Sequence, residues 1–299
     1  MSKPTITREA LEKSRRRQEQ TIGAEWRYRE FFKFLQLSPS YRLANLIATG
    51  QLDRLATPLP VDFELVEETY RAFGEVIRTD FWEWWVLKAQ FQFRVSKAPQ
   101  PKVLLKLWMD EHANESDLSS AHSALNDYIS VDRLAGGTPA TLVVALSLDA
   151  NSEQTLKDIT ELVSQTIVEV KETKRVASWA IIRNKIRWDT ALMARTVLRT
   201  RAAHPDEYLF VIGNMAEVSP INETDPSEKR AHVLDKRRTM EIMTSRHLHR
   251  AYTLAENAAR GRFPTLDPLP DDPARPKFDF KILLQDLEEH VAWLRREQS

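Results

Sequence analysis

Seven glycines in 299 residues leave this chain few places where the backbone can turn sharply. Glycine enters left-handed conformations without steric cost and is the usual stop one residue beyond a helix. A chain so poor in it reads as a succession of long helices. The glycines present then act as punctuation. Gly50 closes a helix that starts at Ser38–Pro39, where Ser supplies the N-cap and Pro the first helical residue. Gly136–Gly137 ends another helix, Gly213 marks a turn, and Gly261 stops the helix that carries TSRHLHRAYTLAENAARGRF, from Thr244 to Phe263.

At helical spacing that stretch sorts into two faces. Leu248, Ala251, Tyr252, Ala255, Ala258 and Ala259 form a small-residue inner stripe. Arg246, His249, Arg250, Thr253, Asn257 and Arg260 form an outer stripe of cations and polar groups. Further helices are expected over residues 7–20, 62–77 and 188–202, with Trp26, Phe31, Phe34 and Leu35 as the apolar face of an early one. The dense run FWEWWVLKAQFQF, residues 81–93, reads as core, because Trp82, Trp84 and Trp85 have no interleaved cations of the kind a base-stacking platform needs.

The texture changes after the linker SKAPQP, residues 96–101. KVLLKLWM and ATLVVALSLDA read as strands, with helices after each, and Asn151 with Gln154 as a capping box for the second. The expected fold is mostly α, with a small α/β insert of strand, helix, strand, helix and a C-terminal helix-turn-helix-like module. The segments are 1–97, an N-terminal helical domain; 98–176, the α/β element; 177–264, the helix-turn-helix-like domain; and 265–299, a Pro-rich linker and a C-terminal helix that docks on its own core.

The absence of cysteine removes disulfides, thiolate metal sites and thiol catalysis. The start is too charged for a signal peptide, and no apolar run reaches ~18 residues, so a cytoplasmic protein without membrane contact is expected. Neither of the common Gly-rich phosphate loops occurs, nor G-x-S-x-G, nor H-E-x-x-H. His247 and His249 are two apart on a helix and point away from each other, which rules out a shared metal. Asp110, Glu111 and Asp117 follow an expected strand, where acids can hold Mg²⁺ in a nuclease. A solvated loop accounts for them more simply. The expectation is a protein that is not an enzyme and takes no cofactor and no metal.

Net charge is zero, with 43 basic and 43 acidic residues. Nucleic-acid affinity would therefore require local segregation of charge. Such segregation occurs between Glu228 and Arg262, which contains nine Lys or Arg against four acids, an excess of five. An excess of that size supports salt-sensitive binding through released counterions. A framework helix from Trp188, a short element at Gly213 and a last helix capped at Thr244–Ser245 make a helix-turn-helix arrangement, interrupted by a polar insert at residues 221–228. In it Arg246, His249 and Arg250 face DNA bases, while Lys229, Arg230, Lys236, Arg237, Arg238, Arg260 and Arg262 face phosphates. The expected partner is double-stranded DNA.

EWRYREFFKFLQLSPSYRLA followed by FWEWW resembles the tryptophan-rich opening of transcriptional-regulator-like DNA-binding proteins of proteobacterial integrative and mobile elements. ATLVVALSLDANSEQTLKDI resembles the strand-plus-helix before the DNA-binding helices of that group. The span from RWDTALMARTVLRT through SRHLHRAYTLAENAARG resembles its helix-turn-helix part. The resemblance implies a regulator of element excision, transfer or gene expression. An alternative is a protein-interaction scaffold in a phage-related or defence assembly, using an exposed aromatic patch at residues 81–93, with a protein partner or homodimer. A metal-dependent nuclease ranks below both.

Overall fold

The computed structural model describes residues 25–93, 103–106, 115–129, 141–146, 151–171, 179–182, 186–223 and 229–298. Its helices are α1 (Trp26–Leu37), α2 (Pro39–Ala48), α3 (Phe63–Phe73), α4 (Phe81–Trp84), α5 (Gln90–Phe93), α6 (Glu115–Asp127), α7 (Ser152–Lys171), α8 (Trp188–Ala203), α9 (Leu209–Met215), α10 (Arg230–Ala259) and α11 (Phe280–Gln298). A π-helical turn, Trp85–Ala89, joins α4 to α5, and a 3-10 turn, Pro220–Asn222, follows α9.

The chain forms two compact units. One comprises residues 1–18 and 90–178, the other residues 19–89 and 179–299. In the first, the expected α/β insert is not found: residues 103–106 and 141–146, the described parts of the two expected strands, form no strand. A Val/Leu run becomes a strand only by pairing with a neighbour, and no sheet forms among the described residues. Helix α7 begins where expected. Asn151 Oδ1 accepts from Glu153 N at 3.0 Å, but the Gln154 amide donates forward to Asp158 instead of closing the capping box. The expected helix at residues 7–20 lies outside the described residues, as does Gly136–Gly137.

The second unit holds the basic region. Its core is aromatic: Phe31, Phe34, Phe73, Trp84, Trp85 and Phe263 are all buried. Phe31 meets Phe73 edge-on at 5.1 Å, Phe34 packs on Phe263 at 5.5 Å, and Trp84 Nε1 donates to the Phe73 carbonyl at 3.0 Å. A buried indole needs such a partner for its N–H. The three Trp of FWEWW are core, as expected; elsewhere in the 81–93 run Leu87 and Phe91 are exposed, at 41% and 47%. Ser38 caps α2, its Oγ accepting from Tyr41 N, and Pro39 follows as the first helical residue. Helix α3 stops at Phe73, short of the expected 77, because Gly74, at φ 70° and ψ −157°, takes an extended positive-φ conformation open essentially to glycine alone.

Helix α10 is the central element, packing against α1, α2, α3, α8 and α9. Helix α11 docks back on the same unit. Leu283 is buried, Arg42 Nε donates to Asp286 at 2.8 Å, and His290 Nδ1 lies 2.7 Å from the Ile77 carbonyl. Gly213 was expected at a turn but lies inside α9, where it lets α9 approach α10 closely. A Cβ there would stand 2.3 Å from Thr244 Oγ1 and 2.6 Å from Met240 Cγ. Gly213→Ala is expected to destabilise the protein by about 1–3 kcal/mol through overpacking. Urea unfolding checks this, and a neutral or stabilised variant would mean that the two helices do not cross here.

Candidate nucleic-acid interface

The basic segment folds as one uninterrupted helix of 30 residues, α10. The expected helix start at Thr244–Ser245 is therefore corrected. Thr244 lies mid-helix, fully buried against Gly213, and its hydroxyl has no hydrogen-bond partner among the described residues. Arg246, His249 and Arg250 consequently sit in the middle of a long helix and not in a first turn. Arg246 and His249 are exposed and Arg250 is partly exposed. Arg238 and Ile242 precede them on the same face at helical spacing, both exposed.

The N-terminal part of α10 stands in solvent on nearly all sides. Lys229, Arg230, Arg237 and Arg238 are exposed and Lys236 is partly so. No acid occupies the first helical turn. Cations at a helix N-terminus oppose its dipole, so Lys229 and Arg230 sit where an external anion would be favoured. Lys236 Nζ donates to the Glu223 carbonyl at 3.0 Å, and the Arg237 guanidinium lies 4.8 Å from the Phe210 ring centre. Among the described residues no carboxylate pairs with Arg238, Arg246 or Arg250. His247 turns toward the protein. Burial, and next the Arg250 charge, hold its pKa below the ordinary histidine value.

Arg260 has a different environment from the one expected of a phosphate contact. Its side chain is 0% exposed. Nε and Nη2 donate to the two Asp62 oxygens at 2.6 and 2.8 Å, and Nη1 donates to Glu256 at 2.9 Å. Glu256, also 0% exposed, accepts in addition from Ser38 Oγ at 2.7 Å, Ser40 N at 3.1 Å and Ser40 Oγ at 2.5 Å. The carboxylate thereby satisfies an orphan N–H in the first turn of α2, where negative charge suits the helix dipole. Thr253 and Asn257 are buried as well. Asn257 Nδ2 donates to the Asp267 carbonyl at 3.0 Å and pins the chain that follows the helix. The expected outer stripe is thus solvent-facing only as far as Arg250. Arg262 lies beyond the helix end, partly buried, with its Nε unpartnered among the described residues.

Sequence reading missed this buried network. Glu256 and Arg260 stand four apart on an alanine-rich helix, which is the one local signal for an internal pair. It also missed Arg195, whose Nε and Nη2 donate to the buried Glu30 at 2.8 and 3.3 Å.

No group of acids or histidines able to hold a metal occurs among the described residues. Asp110 and Glu111 lie outside them, as does the side chain of Asp117. No described helix is long and apolar enough to cross a membrane. The arrangement offers an exposed cationic helix face whose C-terminal end is rooted in the buried core. Comparison with family models, with curated proteins and with solved structures gives no match for this chain.

Proposed function

We propose that this chain is a DNA-binding protein, a regulator of transcription or of a mobile element, and that it grips duplex DNA with the solvent face of α10. The observation that carries the reading is the run of cations on that face, Arg238, Arg246 and Arg250, none paired with a carboxylate among the described residues. One exposed acid, Asp235, shares the face three residues before Arg238, so three Arg stand against a single carboxylate. From Arg238 to Arg250 the helix rises about 18 Å, roughly half a turn of B-DNA, and a helix with its side chains fits the ~12 Å major groove. In this reading Arg246, His249 and Arg250 reach base edges. Lys229, Arg230, Lys236, Arg237 and Arg238 hold phosphates, with Arg262 at the far end of the helix.

The helices α8, α9 and α10 take the helix-turn-helix roles, with two departures. The connection between α9 and α10 is longer than the usual three to four residues. The base-facing residues also sit mid-helix, so α10 lies along the groove and does not enter it end-on.

Fluorescence anisotropy with mixed-sequence duplexes across a salt series tests the reading. Log affinity is expected to fall steeply with log salt, with the slope reduced by about 1 in Arg238→Ala. Arg246→Ala and Arg250→Ala are each expected to cost about 1–3 kcal/mol and to relax base preference. An unchanged salt curve for the triple variant would remove α10 as the binding face.

A second reading, a protein-docking surface, has its own observation. Ile221, Leu234 and Ile242 are exposed on or beside α10, at 85%, 56% and 45%. It predicts salt-insensitive partner capture that survives the triple Arg variant and fails in Leu234→Asp.

A further inference from the structure

A cleft of about 240 Å³ opens where α1, α4, α8 and α11 meet. Its charged lining is Arg29 and Lys33 from α1, Arg199 from α8 and a single acid, Asp80. Its apolar lining includes Phe32, Leu287 and Val291. A larger groove of about 770 Å³ between α8 and α11 shares Arg199, Leu287 and Val291 with it and is lined further by Leu284, Ala292 and Met215, with Glu288, Arg295 and His204 among its polar groups.

The charges in the cleft are not balanced from within. Asp80 is engaged as the cap of α4, its Oδ1 accepting from Trp82 N at 2.6 Å and Glu83 N at 3.2 Å. Lys33 Nζ reaches Glu30 at 3.1 Å, but that one carboxylate already takes two hydrogen bonds from Arg195. Arg29 lies over Phe81 and Trp82, 5.1 and 4.9 Å from the ring centres, which fixes the guanidinium without neutralising it. Arg199 has no hydrogen bond or ion pair among the described residues. Its charged form is disfavoured first by burial and then by Arg195 one helical turn away. A cation held against a like charge, with no acceptor of its own, gains from an incoming anion.

We propose that this cleft is a binding site for a small amphipathic carboxylate. The carboxylate is taken up by Arg199 together with Lys33 and Arg29. The hydrocarbon part lies on Phe32, Leu287 and Val291 and extends into the groove along α11. The combination of an apolar wall with a few convergent polar groups is what small-ligand sites share. The proposal does not depend on DNA binding.

Calorimetric titration of the full chain with octanoate, kept below its micellar concentration, and with octan-1-ol as the neutral match tests it. Octanoate is expected to bind, and octanol about tenfold more weakly, since a charge-assisted hydrogen bond contributes roughly that factor. Arg199→Gln is expected to weaken octanoate by about tenfold while leaving octanol binding and the melting temperature in place. Lys33→Gln, on the facing helix, shifts octanoate in the same direction. Equal binding of the two probes, no binding of octanoate, or an octanoate affinity unmoved by both variants would each overturn the proposal.

Discussion

An Arg260→Ala variant is expected to lose about 3–5 kcal/mol of stability at neutral pH, the cost of removing one partner from a buried charge pair. Arg260 is the shared donor between Asp62 and Glu256, and no water-accessible route serves Glu256, whose side chain is fully buried. Without the guanidinium, two carboxylates at the junction of α2, α3 and α10 lose their counter-charge. The loss carries a pH signature. Hydrogen bonds from Arg260 hold the Asp62 carboxyl below the ordinary carboxylate range. A depressed native pKa stabilises the fold above the unfolded value of ~3.9, and that contribution disappears as pH falls through the native value. The gap between parent and variant is therefore largest at neutral pH and narrows below about pH 4. Urea melts at pH 7 and in acid measure both, and a small gap, or one that does not narrow, would show that Asp62 is not held by Arg260 in solution.

Gly261→Ala is expected to be comparably damaging, at about 3 kcal/mol or more. Gly261 has φ of +70°, and a Cβ would fall 1.7 Å from Trp179 Cζ3, well inside contact distance. Trp179 cannot retreat freely, since its ring is packed edge-on against Phe73 at 5.3 Å. Gly50 supplies the matched control: its φ is +73°, yet nothing lies within 4 Å of the Cβ site. Gly50→Ala should show the backbone cost alone, about 1–2 kcal/mol. Thermal melts of the two variants separate conformational strain from collision. Equal losses would mean that Trp179 does not cover Gly261.

The helices of the second unit were legible because their signals are local. Ser38–Pro39 marks a helix start through groups three residues apart, and the periodic burial of Phe31, Phe34 and Leu35 repeats the pattern written in the sequence. The aromatic run at 81–85 was legible as core for the same reason: no cations interrupt it.

The misreadings arise where the deciding partner is distant. Periodicity assumes one buried face, so it assigned Thr253, Asn257 and Arg260 to solvent. The structure covers that side too: Arg260 meets Asp62, 198 residues upstream, and Asn257 is bonded by the chain that folds back after the helix, at Thr265 and Asp267. Gly213 was read as a turn because scarcity made every glycine look like a stop. It is instead the contact at which two helices cross. The expected strands KVLLKLWM and ATLVVALSLDA rested on Val and Leu content alone, which does not supply a pairing partner.

Helix α10 has two regimes along its length. Residues 253–260 are buried, held by Asp62, Ser38, Ser40 and the chain after the helix, whereas Arg238, Ile242, Arg246 and His249 contact solvent. Substitution in the outer part leaves the root untouched. The face can thus vary in sequence without a stability cost, while its bearing on the core stays fixed. Sequence divergence among descendants of this fold should concentrate at positions 238, 242, 246 and 249, with positions 256 and 260 held constant by folding alone.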